Sequence, residues 1–251
     1  MMILNSLVEK ISKNRKSLSI LVDPDKIPNE KYLDQIISNC GKCNVDYIFV
    51  GGSLLVSESL NETICFIKKK ANIPVILFPG SNLHIDKAAD AILFLSLISG
   101  RNPEFLIGQH VTAAPILRRS KLEILPTGYI LVGNNANTTV AHISQTFPIP
   151  TSKDAIAICT AMAGEMLGMK LIYLDAGSGA IEEVSGQMIA GVKKSIDIPL
   201  IVGGGINTLK KAETAFNAGA DMLVLGTAVE KKVDFISDVA KIRDLINTKH
   251  S

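Results

Sequence analysis

Eight short apolar runs recur along the chain without alternating polar residues, and they constrain the fold more than any other feature. They occupy residues 18–22, 47–50, 75–78, 91–95, 129–132, 171–174, 200–202 and 222–225. A strand with one wet face alternates apolar and polar side chains, whereas a parallel strand covered by helices on both faces does not. Runs this short and uniform therefore read as buried parallel strands, and helical patterns lie between them from end to end. Asn29 suits an N-cap before an apolar stripe at Leu33, Ile36, Ile37 and Cys40. Thr208 does the same for residues 209–218, with Gly219 placed to end that helix. Val233, Ile236, Val239 and Ile242 share one face of a last helix.

Eight such repeats in 251 residues, with no proline- or serine-rich break, predict an α/β fold. The expected architecture is a single (β/α)8 TIM-type barrel spanning residues 1–251, in preference to an open doubly wound sheet. One stretch is looser. Residues 133–150 are rich in Asn and Thr and end in two prolines, which predicts a long connection holding a short helix at 139–145.

Composition removes several function classes. Lys plus Arg number 26 and Asp plus Glu 24, so the +2 balance lacks the footprint of a nucleic-acid binder. Aromatics are 5% with no Trp, which also argues against stacking platforms for single strands. No apolar run approaches the roughly 18 residues of a membrane span. The N-terminal MMILNSLVEK has neither a basic region nor an A-x-A signal, so the expected location is cytoplasmic. Cys40 and Cys43 form a C-x-x-C at a helix-to-strand junction, the wrong place for a thioredoxin-like pair, and Cys65 and Cys159 add no second zinc pair. His84, His110, His142 and His250 have no metal-ligand spacing.

Chemistry in a barrel belongs to the carboxyl ends of its strands. Here the late strands end in glycine: Gly177-Ser178-Gly179 after the sixth, Gly203-Gly204-Gly205 after the seventh, Gly226-Thr227 after the eighth. Glycine lets backbone N–H groups approach an anion, and a helix starting just afterwards adds its positive end. Three such turns in succession read as a phosphate cradle, although each alone serves equally as a tight turn. There is no G-x-x-x-x-G-K-[ST], so this is not a nucleotide-binding P-loop. On the opposite rim, Asp23 leaves the first strand and Ser53 the second, a carboxylate and a hydroxyl suited to Mg²⁺ with phosphate oxygens completing its shell. Asp23 is also a natural turn cap beside Pro24, and Lys26 reads as a solvated lysine. Asp175 follows an apolar strand and precedes the glycine turn, where it either caps that turn or accepts a proton from a substrate hydroxyl. Tyr173 faces the same way two residues earlier.

The segments LVDPDK, VGGS, ILPTGYILV, YLDAGSGA, IVGGGI and VLGTAVE, in this order, resemble the geranylgeranylglyceryl phosphate synthase and heptaprenylglyceryl phosphate synthase family over about residues 17 to 235. DPDK and GYILV point to the geranylgeranyl branch. The resemblance implies Mg²⁺-dependent transfer of a prenyl group from its diphosphate to the sn-3 hydroxyl of sn-glycerol 1-phosphate. It implies Asp23 and Ser53 as metal ligands, and Tyr173, Leu174, Asp175, Ala176, Gly177, Ser178, Gly179, Gly204, Gly205, Gly226 and Thr227 as the glycerol-phosphate site. Asp175 would be the base, at a position where the family commonly has glutamate. The resemblance further implies a homo-oligomer without a transmembrane segment, touching a membrane surface transiently to pass on its product. A prenyl tail needs an apolar groove, and Phe78, Leu95, Leu97 and Tyr129 are candidate walls. Two other readings use the same cradle: a phosphate-binding isomerase or lyase without a long groove, or a catalytically silent phosphate-binding barrel.

Overall fold

A computed structural model describes residues 2–56, 59–134 and 138–249. His250 and part of the long connection therefore lie outside the described residues. Eight parallel strands close into a barrel in chain order: β1 (Ser17–Val22), β2 (Tyr47–Gly52), β3 (Val75–Pro79), β4 (Ala91–Leu97), β5 (Glu123–Leu131), β6 (Leu171–Asp175), β7 (Leu200–Gly203) and β8 (Met222–Leu225). The seam closes between β1 and β8, with Ser17 opposite Met222 and Ile20 opposite Leu225. Successive side chains point to opposite faces, so each apolar run serves two cores. Phe49, Ile76, Leu93, Leu125, Leu171 and Ile201 fill the interior, while Ile48, Leu77, Ile92, Ile172 and Val202 pack outward under the helices.

Ten helices surround the strands among the described residues: α1 (Ile3–Ser12), α2 (Glu30–Lys42), α3 (Leu60–Lys70), α4 (Gln109–Arg119), α5 (Thr139–Ser144), α6 (Asp154–Met166), α7 (Gly186–Ser195), α8 (Leu209–Asn217), α9 (Thr227–Lys231) and α10 (Phe235–Thr248). The Asn29 carboxamide caps α2 and the Thr208 hydroxyl caps α8, with Gly219 beyond α8 at φ +111°. The long connection after β5 holds α5, capped by Thr138, and its return is pinned by Ile149 N–H donating to the Leu131 carbonyl at 2.9 Å.

Four features depart from the sequence reading. α1 corks the amino-terminal end of the barrel with Ile3 and Leu7, a helix the apolar runs did not announce. β5 begins at Glu123, ahead of the apolar run at 129–132, and Glu123, Pro126 and Thr127 break the apolar pattern that would have marked its start. Val233 precedes α10 instead of belonging to it, though it packs on the same core. No helix follows β3. Residues 80–90 form a turn, held by the Gly80 N–H donating to His84 Nδ1 at 3.1 Å, and lead straight into β4. The outer face of β3 and β4 is thereby left without its usual helical cover.

The cysteines are free thiols. Burial pushes the Cys40 thiol up to about 12, and Cys43 beside it acts in the same direction, the opposite of the lowered pKa that activates a thiol.

Candidate active site

The carboxyl ends of the strands surround a polar cavity of about 1540 Å³, its open mouth included. Asp23, Ser53, Tyr173, Asp175, Gly177, Ser178, Gly179, Gly204, Gly205, Gly226 and Thr227 all line it. Leu174 and Ala176 do not. Strand alternation turns both outward, where they join the core beneath the helices.

Asp175 ends β6 and is 7% exposed. Its Oδ2 accepts a hydrogen bond from the Tyr129 hydroxyl at 2.5 Å, and its Oδ1 accepts from the Gly177 N–H at 2.8 Å. Register explains the first contact: Tyr129 pairs with Tyr173 and Leu131 with Asp175, so the Tyr129 ring reaches two residues along the neighbouring strand. Burial pushes the Asp175 carboxyl above its ordinary range, and the two hydrogen bonds pull it only part of the way back. Burial and the Asp175 charge push the Tyr129 phenol well up, so it stays a donor. Tyr129, Tyr173 and Phe78 pack against one another with ring centroids 5.5 to 6.1 Å apart. Asp175 thus caps the glycine turn and faces the cavity at once.

The glycine turns are close-built around this carboxylate. Gly204 has φ +74°, and a methyl group there would overlap Asp175 Oδ1 and the backbone nitrogens of Ala176 and Gly177. Gly205, at φ +68°, abuts the Glu182 carbonyl in the same way. No side chain but hydrogen fits at either position, so both glycines let neighbouring turns pack in direct contact at the cavity floor.

Across the mouth, Asp23 Oδ1 accepts from the Asp25 N–H at 3.2 Å, the expected turn cap, while Oδ2 faces Lys26 Nζ at 3.1 Å. Gly52 presents no side chain to this carboxylate, and a Cβ there would stand 3.3 Å from Oδ2. Among the described residues no group of three or more His, Cys, Asp or Glu is arranged to hold a metal by itself. The donors present nevertheless fit Mg²⁺, which takes one or two carboxylates and completes its shell with water and phosphate oxygens. The charge balance fits as well. The cavity is lined by four carboxylates (Asp23, Asp25, Asp175, Glu230) against two lysines (Lys26, Lys231), an excess of negative charge that a bound cation would relieve.

A second, apolar groove of about 830 Å³, again with its mouth, opens where the helix after β3 is missing. Phe78, Leu95, Leu97 and Tyr129 line it, together with Ile85, Phe94, Phe105, Ala113 and Leu117. Five residues before α4, Glu104–Gly108, are wound as a wider π turn beside the groove. His110 is buried in its wall, with Nε2 3.1 Å from Ser96 Oγ and its ring edge-on to Phe94 at 4.3 Å. Burial lowers the pKa of that imidazole, disfavouring its charged form. Ser53, Phe78 and Val140 belong to both linings, so the groove and the polar cavity meet at the barrel mouth.

Residues 10–245 match the PcrB family. The chain belongs to this family. The geranylgeranylglyceryl phosphate synthase of Chitinophaga pinensis is 49% identical over 238 residues, 95% of this chain and 94% of the relative. That of Thermococcus kodakarensis is 43% identical over 224 residues, 89% and 87% of the two chains. The crystal structure of (S)-3-O-geranylgeranylglyceryl phosphate synthase from Thermoplasma acidophilum, in complex with its substrate sn-glycerol-1-phosphate, superposes with a TM-score of 0.91 at 35% identity, covering 99% of each chain. A PcrB barrel, then, carries the polar cavity and the groove described above.

Two polar partners in the site of this PcrB chain escaped the sequence reading. Tyr129 was a candidate groove wall and is also the donor to Asp175. Lys26 is not free in solvent but reaches Asp23, Ser178 and Glu230. Lys26–Asp23 is a local i,i+3 pair, but Ser178 and Glu230 reach Lys26, and Tyr129 reaches Asp175, only through the barrel's tertiary arrangement, which leaves no local sequence signal.

Proposed function

We propose that the protein is a geranylgeranylglyceryl phosphate synthase, transferring a geranylgeranyl group from its diphosphate to the sn-3 hydroxyl of sn-glycerol 1-phosphate. The observation that carries this reading is the junction of the two cavities. An anion-binding chamber and an apolar groove share Ser53, Phe78 and Val140, and Asp175 stands in the chamber beside that junction. An isomerase or lyase of small phosphorylated substrates has no use for such a groove.

In this mechanism the glycine turns after β6, β7 and β8 hold the glycerol phosphate by backbone N–H groups. Asp23 and Ser53 would hold Mg²⁺, which neutralises the diphosphate leaving group when bound. The groove takes the isoprenoid tail, worth about 0.8 kcal/mol per buried CH₂ before ordering costs. The allylic carbon–oxygen bond breaks with its electron pair leaving on the diphosphate. The acceptor hydroxyl oxygen bonds to that carbon, and its proton passes to the Asp175 carboxylate. Aspartate has a shorter arm than glutamate; the hydrogen bonds from Tyr129 and Gly177 orient it. The aromatic group of Phe78, Tyr129 and Tyr173 keeps water from the allylic centre.

The test is product analysis. Purified protein with Mg²⁺, radiolabelled glycerol 1-phosphate and a ladder of prenyl diphosphates yields an ether lipid, most of it with the geranylgeranyl donor. No ether product with any tail length overturns the proposal. The same reading has the enzyme act in the cytoplasm as a homo-oligomer that touches a membrane surface only to pass on its product. No helix among the described residues is long and apolar enough to cross a membrane, and the exposed Ile156 and Met166 of α6 offer apolar surface for such contacts.

A further inference from the structure

Lys26 occupies the turn between β1 and α2, and its ammonium sits among partners from three different connections. Nζ lies 3.1 Å from Asp23 Oδ2, 3.2 Å from Ser178 Oγ and 3.5 Å from Glu230 Oε1. Ser178 Oγ is in turn 3.5 Å from Thr227 Oγ1. The charge therefore stands where the Asp23 rim meets the glycine turns after β6 and β8.

These contacts are loose for a structural ion pair. Charge-assisted N–H···O bonds close to about 2.7–2.9 Å. Elsewhere in this chain Lys193 reaches Asp221 at 2.7 Å and Lys68 reaches Asp90 at 2.6 Å. Three N–H donors spread over three acceptors at 3.1 to 3.5 Å hold the ammonium in place without committing it. A phosphate oxygen can take the place of any one of them. The need for such a group is plain from the lining: Lys26 and Lys231 are its only lysines among the described residues, no arginine or histidine joins them, and Lys231 is exposed.

We infer that Lys26 is a shared anion-binding residue whose ammonium serves both the glycerol-phosphate and the diphosphate. This rests on the transferase reading above. It goes further by placing one protein cation between the two ligands, where it offsets their mutual repulsion as they are drawn together.

Calorimetry in Mg²⁺-free buffer tests it, titrating the full chain separately with glycerol 1-phosphate and with inorganic pyrophosphate. Lys26→Met weakens both ligands by about tenfold or more, the scale of one lost charge-assisted hydrogen bond. Its thermal unfolding midpoint stays at the wild-type value, which a mere clamp between loops would not allow. Lys26→Arg keeps the charge and restores binding of both to within a few-fold. A Lys26→Met protein that binds both ligands like wild type, or loses only one of them, overturns the inference and leaves the transferase reading standing. Wild-type protein that binds neither anion overturns both.

Discussion

With one oxygen held by the Tyr129 hydroxyl at 2.5 Å and the other by the Gly177 N–H at 2.8 Å, Asp175 is fixed in place inside a nearly closed site. Burial raises its pKa, so the folded protein holds that proton more tightly than the unfolded chain does. The resulting stability is fully present below the unfolded carboxylate range and is lost as pH rises through the higher folded value. Burial therefore disfavours the ionised carboxylate in the folded protein relative to the unfolded chain. Asp175→Asn removes the charge while nearly keeping the shape. It should raise the melting temperature, by about 2–4 °C for each kcal/mol recovered in a chain this size, and lower turnover by about 10²-fold or more. Differential scanning calorimetry and a product assay check the two halves, and a variant that loses stability along with activity contradicts the account. In the wild type, the acid limb of the turnover profile should lie above the usual carboxylate range for the same reason.

At the scale of elements, the missing helix after β3 matters most. A TIM barrel normally covers every strand from outside, and here the β3–β4 turn leaves a gap that α4 lines with Ala113 and Leu117. The sequence places helical patterns between the strands from end to end, and none forms here. The Asn82 carboxamide donates to Thr112 Oγ1 at 2.8 Å, tying the turn to α4, and His84 holds its start. If the gap is the tail's seat, its width sets which tails fit. Ala113→Phe should shift the preferred donor to a shorter prenyl diphosphate, read as the product distribution from a mixed ladder, with the affinity for glycerol 1-phosphate unchanged. An unchanged distribution would mean that the tail lies elsewhere.

Barrel closure is a property of the whole molecule, and α10 secures it. Arg243, its side chain 5% exposed, donates to the carbonyls of Asn44 at 2.7 Å and Cys43 at 2.9 Å and pairs with Asp46 at 3.3 Å. Asn247 exchanges hydrogen bonds with the backbone of Lys16 at the start of β1. Both bind the last helix to the first strands, across the β8–β1 seam. Arg243→Ala leaves two carbonyls without their donor while Asp46 keeps Lys10, and should cost about 1–3 kcal/mol. Denaturant titration should show the midpoint fall, while KM for glycerol 1-phosphate stays the same, since this face is opposite the site. A change in KM without a stability loss would contradict that division.

The sequence by itself determined the eight parallel strands, the glycine turns on the late ones, and which carboxylates stand at strand ends. Those properties are local: strand alternation, covered faces and positive φ leave marks within a few residues. Only the tertiary structure decided which of these groups act together. It buried Asp175 and brought it Tyr129 from 46 residues away, and it set Lys26 against Ser178 from 152 residues away. It turned Leu174 and Ala176 away from the cavity and opened the groove beside it. Desolvation and through-space distance govern those outcomes, and neither exists until the barrel has closed.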